Sequence, residues 1–249
     1  MDPQFIGMVF ESVIIVCATI ILVLILLKYL EKRHQLTLYL LIIFLLYTLA
    51  IVFSWLSKVL ILYSGIEYIT NRLLPDPGTL FSWFIYRIID FRISFVFLSI
   101  AIYLSYVLKV KVFEKGYKTV ERIVVIITFI ATLLCSIFLY ESNDNFLHYL
   151  LDAIAFLLIF IFMAMIYFPF MVRSFQSYRL AEQDLYKKAF LSLCLMSLFF
   201  ILVPFNFLLD RLTILAGGPG FTIFYFLAWI FVFLGIIGAY FGYIRPRRD

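Results

Sequence analysis

Residues 8–27 read MVFESVIIVCATIILVLILL, and Lys28 follows at once. The run carries one charged side chain, Glu11. A helix that crosses about 30 Å of hydrocarbon needs about 20 such residues at a rise of 1.5 Å each. Six more runs of this kind follow, at about 36–57, 83–108, 123–140, 147–172, 189–209 and 221–244. They are continuous and do not alternate, so they lack the pattern of membrane β-strands. The expected fold is all-α: one transmembrane domain over residues 1–249, a bundle of seven spanning helices.

Composition agrees with that reading. The 249 residues are 65% hydrophobic and 14% charged, with a mean hydropathy of +1.10. A soluble domain carries about 25% charged residues. No soluble fold of this size can bury so much apolar surface. The sequence pI near 9.0 could suggest nucleic acid, but the basic residues fall in short loops between apolar runs. That distribution sets membrane orientation, so no nucleic-acid partner is expected. Cys17, Cys135 and Cys194 all lie inside apolar runs and predict no disulfide. The N-terminus shows no basic region of the kind that opens a cleavable signal.

The loop charges predict the orientation. Lys28, Lys32 and Arg33 fall in one connection, Lys109, Lys111, Lys115, Lys118 and Arg122 in a second, and Arg173, Arg179, Lys187 and Lys188 in a third. Arg245, Arg247 and Arg248 end the chain, so fifteen of the twenty Lys and Arg lie on one side. Lys58, Arg72, Arg87, Arg92 and Arg211 lie on the other. The positive-inside rule places the N-terminus outside and the C-terminus in the cytoplasm of a multi-pass cell-membrane protein. The longest connection, about 58–82, contains Pro75, Asp76, Pro77 and Gly78 and has room for a short interfacial helix near 66–74.

Ionisable groups inside spans are costly and point to function. Counting about 20 residues from the inner basic anchors puts Glu11, Lys58, Arg87, Asp152 and Asp210 in one layer near the outer surface. In a continuous third helix, Arg87, Asp90 and Ser94 share one face, which Leu98, Ala101 and Ser105 extend. Arg92 lies on another face, about 8 Å below the boundary. It needs an acid there, and Glu11, Asp152 and Asp210 are at similar depth. The expected site is an outward-facing polar pocket formed by Arg87, Asp90, Arg92, Ser94, Asp152, Asn206, Asp210 and Glu11. Taken singly, each of these charges also fits a side chain that snorkels to the interface. A cluster favours the pocket, because a snorkelling residue needs no neighbours.

Pro204 predicts a kink that would act as a hinge beneath the pocket. Gly235, Gly238, Ala239 and Gly242 form two small-residue steps in the last span, which allow close helix packing. Packing against the first or sixth span is the simpler use of that face, and a homodimer is the other. His148 and Asp152, four residues apart, could add only Glu141 or Asp144 as metal ligands, so no metal is expected. No catalytic motif is visible and no cofactor is expected.

The seven-span plan with an outer N-terminus resembles the receptor and rhodopsin-like class. The resemblance has departures: Tyr106, Val107, Leu108 and Lys109 replace the acidic-Arg-aromatic triplet, the seventh span has no Lys, and it lacks Asn-Pro-x-x-Tyr. The ending Gly242, Tyr243, Ile244, Arg245, Pro246 resembles that of seven-helix membrane proteins of archaea. The resemblance implies a receptor-like or sensor-like protein: a small-molecule ligand from outside, a lipid bilayer around the bundle, and a cytoplasmic protein at the basic inner loops. The alternatives are a non-catalytic subunit of a membrane complex and a small-solute transporter.

Overall fold

The computed structural model describes residues 2–63, 79–114, 116–139 and 146–244. Residues 75–78 and the helix expected near 66–74 fall outside them, as do Arg72, Lys115, Glu141, Asp144 and the basic tail. The described residues are helical, without strands. The helices are α1 (Pro3–Lys32), α2 (Gln35–Tyr63), α3 (Leu80–Ile89), α4 (Arg92–Phe113), α5 (Thr119–Phe138), α6 (Phe146–Leu180), α7 (Asp184–Leu215) and α8 (Ile223–Ala239). A π-helical turn, Tyr240–Ile244, extends α8. Seven are long and apolar enough to cross a membrane: all but α3, with α8 counted together with its extension.

The first span shows how a helix apolar all round still has an inside. Gly7, Glu11, Ile14, Ala18, Ile21 and Ile25 are buried at alternating steps of three and four. Val13, Val16, Ile20, Val23 and Leu27 form the opposite, exposed stripe. Both stripes are largely apolar, and what sets the buried one apart is its two small residues, Gly7 and Ala18, and the single carboxylate. Asp2 caps the helix by accepting from Gln4 N–H at 2.9 Å, and Pro3 follows, where its missing N–H costs nothing.

The helices close into a ring. α1 packs on α2, α2 on α4, α4 on α6, α6 on α7, α7 on α8, and α8 returns to α1. α5 stands outside that ring against α4 and α6, with Ile123, Ile127, Ile130 and Leu134 exposed. In the middle of the bundle Tyr47 Oη meets Tyr167 Oη at 2.6 Å, and Ser105 Oγ meets Tyr167 Oη at 3.0 Å. These three hydroxyls join α2, α4 and α6 inside the bundle, where the low dielectric strengthens each bond. At the end bearing the short basic loops, buried Lys109 pairs with Glu114 at 3.4 Å and with Glu121. Lys28 Nζ donates to Tyr243 O at 3.0 Å.

One expectation needs correction. The third apolar run is two helices and not one. The chain breaks at Asp90 and Phe91, and Phe91 takes the left-handed conformation with φ 61°. This is a costly region for an aromatic residue, and surrounding contacts must hold it there. The face predicted to carry Arg87, Asp90 and Ser94 together therefore does not exist: Arg87 belongs to α3 and Ser94 to α4.

The small face of the last span points inward. Gly235 meets Phe200, Gly238 meets Met196, and Gly242 meets Leu193, all on α7. Ser192 Oγ donates to Gly238 O at 3.0 Å. Within one chain the sixth span thus occupies the face offered for a homodimer. A Cβ at Gly235 would lie 2.5 Å from the Phe200 ring. Gly235→Leu is expected to destabilise the protein by about 1–3 kcal/mol through overpacking. Thermal unfolding in detergent measures it, and an unchanged midpoint would contradict the packing described.

Candidate functional site

Five of the charges near the Lys58 end form two buried ion groups. In the first, Glu11 of α1 and Lys58 of α2 approach to 2.7 Å, both shielded from the surface. Tyr225 of α8 donates its hydroxyl to the same Glu11 oxygen at 2.6 Å. Ser54 Oγ adds a contact at 3.3 Å, and Lys58 Nζ also donates to Ser54 O at 3.2 Å. Three helices therefore meet on one carboxylate. Close approach of α1 to α8 is possible because residue 7 is Gly: a Cβ there would lie 2.9 Å from Tyr225 Oη.

In the second group, Asp152 of α6 receives Arg92 at 3.5 Å through one oxygen and Arg211 of α7 at 3.4 Å through the other. Of the three acids at Arg92's depth, Asp152 is thus its partner. Glu11 is engaged by Lys58, and Asp210 turns to the start of α8, where its Oδ1 accepts the Thr222 N–H and hydroxyl at 2.8 and 2.7 Å. That carboxylate caps a helix and suits its positive end.

Phe91 sits between the two groups. Lys58 Nζ lies 4.7 Å from its ring centroid and the Arg211 guanidinium 5.5 Å. These cation–π contacts account for an aromatic ring held at positive φ. Below Phe91 opens a cavity of about 110 Å³ within the ring of helices. Its wall is almost wholly apolar and rich in aromatic rings, among them Phe95, Phe156, Phe200, Phe207 and Trp229. Ser54, Ser94, Arg211 and Tyr225 are polar members of the wall. A smaller void continues toward the other end and shares Phe44, Tyr47 and Phe200 with the first, adding Ser105, Tyr167 and Tyr243.

The predicted site residues are only partly brought together. Ser94 lines the cavity, while Arg92 and Asp152 stand at the ion group that includes Arg211. Glu11 lies in the neighbouring group. Pro204 lines the cavity wall inside a helix that continues through it. Asn206 Nδ2 donates to Leu202 O at 2.8 Å, one turn back, and so serves the backbone near the proline. Arg87 is elsewhere. Its Nε donates to Ile137 O at 2.9 Å, and its guanidinium stacks 3.9 Å from the Trp83 ring. It joins α3 to the end of α5. Asp90 is buried at the helix break. Among the described residues no three His, Cys, Asp or Glu side chains gather as metal ligands.

Sequence reasoning did not place Lys58, Arg211, Phe91, Tyr225 and Trp229 in the site. Two of them carried a signal. Lys58 and Arg211 are among the few cations on the minority side of the loop count, where only a local partner justifies them. No protein-family model matches the chain, and comparison with curated proteins and with solved structures finds no match.

The Glu11–Lys58 pair gives a direct test. Lys58→Met leaves Glu11 buried without its counter-ion and is expected to cost about 3–5 kcal/mol. Adding Glu11→Gln removes the stranded charge and should recover most of that loss. Unfolding midpoints of the wild type, the single variant and the double variant measure it. A single variant as stable as the wild type would contradict the pairing.

Proposed function

We propose that this protein is a receptor-like or sensor-like membrane bundle that takes a small molecule into the central cavity and signals its occupancy to a cytoplasmic partner. The observation that carries this reading is the cavity itself. Interiors pack to near-crystalline density, and voids larger than a water molecule are few. Here about 110 Å³ stays open at the meeting point of most of the ring helices, on the scale that admits a small apolar guest. An apolar wall with a few placed polar groups is the usual make-up of a ligand site.

The loop charges favour an exterior location for the Lys58 end, so ligand enters from outside past Phe91 and Arg211. Below the cavity, the Tyr47–Tyr167–Ser105 cluster links α2, α4 and α6. A guest that shifts Tyr47, which lines both voids, alters the contact of three helices at once. The basic loops at the Lys109 end then offer the surface for a cytoplasmic protein. The two stacked voids also support a second reading, a small-solute transporter, which requires the Tyr47 and Phe200 barrier to open.

The test is a filled cavity. Val203→Trp places bulk in the wall away from both ion groups. Native mass spectrometry of the wild type is expected to release a bound small molecule, and the variant to have lost it. Hydrogen exchange at the Lys109 end should differ between the loaded and emptied wild type. A wild type without guest, or a variant that keeps it, would sink the proposal. Exchange that does not change, combined with solute uptake into vesicles, would favour the transporter.

A further inference from the structure

Ser94 and Arg211 both face the cavity, along with Phe91. Ser94 is in the first turn of α4, a helix of 22 residues whose amino end has no side-chain cap, because Phe91 occupies the capping position. The Ser94 hydroxyl is buried, lines the cavity and has no hydrogen-bond partner. Beside it on the chain, Arg92 is 1% exposed, and its Nε and Nη1 donors have no hydrogen-bond partner. Arg211 reaches the cavity wall from α7 and lies 5.2 Å from the ring of Phe156, another wall residue. Two guanidinium groups converge on the Asp152 carboxylate at 3.4 and 3.5 Å. Both distances exceed the 2.7–2.9 Å of a charge-assisted hydrogen bond.

Asp152 balances part of the charge of the two guanidinium groups from outside the wall, whereas Ser94, Arg211 and the amino end of α4 face the cavity and favour negative charge there. The amino end of a helix carries positive potential and free N–H groups. A serine hydroxyl can donate to a carboxylate, and a guanidinium can serve more than one acceptor. A cationic amine is disfavoured, since Arg211 lines the wall and no carboxylate does. Apart from Tyr47, Thr48, Ser54 and Tyr225, the rest of the wall is hydrocarbon and aromatic rings, which disfavour a small hydrophilic anion.

We propose that the cavity selects a small apolar acid. Its carboxylate lies at Arg211, Ser94 and the start of α4, and its hydrocarbon part lies against Phe95, Phe156, Phe207 and Trp229. This rests on the reading of the cavity as a ligand site and names the class of ligand.

Fluorobenzoate and fluorobenzamide, alike in shape and different in charge, are suitable probes for the full chain in detergent, followed by fluorine NMR. Fluorobenzoate is expected to bind at least about tenfold more tightly, the effect of one hydrogen bond to a charged group. Arg211→Gln should abolish that preference while still binding fluorobenzamide, which also shows that the variant is folded. Ser94→Ala should weaken fluorobenzoate a few-fold and leave fluorobenzamide unchanged. Val203→Trp should abolish binding of both. Equal binding of the two probes to the wild type overturns the acid preference and leaves a ligand cavity standing. Binding of neither overturns both readings. A preference that survives in Arg211→Gln overturns the placement of the carboxylate, and binding that survives in Val203→Trp overturns the cavity as the ligand site.

Discussion

The buried bond between Glu11 and Lys58, 2.7 Å long, is the contact on which the arrangement of the bundle depends. In hydrocarbon neither charge can remain without its partner, so α1 and α2 must meet at one register. The same carboxylate oxygen accepts from Tyr225, which draws in α8 and closes the ring. Lys58 also lies over Phe91, which holds the break between α3 and α4 against its unfavourable backbone angle. The cavity lies below that break. The ion pair thus fixes helix register, ring closure and the roof of the cavity together.

Much of the fold was legible in the sequence because hydropathy adds over about 20 positions. Seven apolar runs became seven long apolar helices, although α6 and α7 extend well past the expected ends. The division of the third run was not legible. Left-handed geometry is betrayed by Gly or Asn, and Phe91 gives no such sign. That single residue reset the helical phase and dispersed the face expected for Arg87, Asp90 and Ser94.

The candidate site was legible in depth but not in pairing. Residue counting put Glu11, Asp152 and Asp210 in one layer and identified Asp152 among the partners open to Arg92. It could not choose between three acids of similar depth, because the choice depends on which helices are neighbours. Tyr225 is 214 positions from Glu11, and no local pattern links them. The cavity was less legible still. A void is set by the sizes and rotamers of side chains from most of the helices, and composition records neither.

Glu11 joins α1 to α8, two helices far apart in the chain, and this has a consequence for the order of assembly. α1 and α2 leave the ribosome before α8 and can enter the bilayer as a hairpin in which Glu11 and Lys58 are already paired. Tyr225 is synthesised more than 160 residues after Lys58. Until then the carboxylate lacks its third-helix donor, and the seam between α1 and α8 stands open to lipid. The ring therefore closes only when α8 docks, and a chain truncated before α8 would hold the Glu11–Lys58 hairpin in an unclosed bundle.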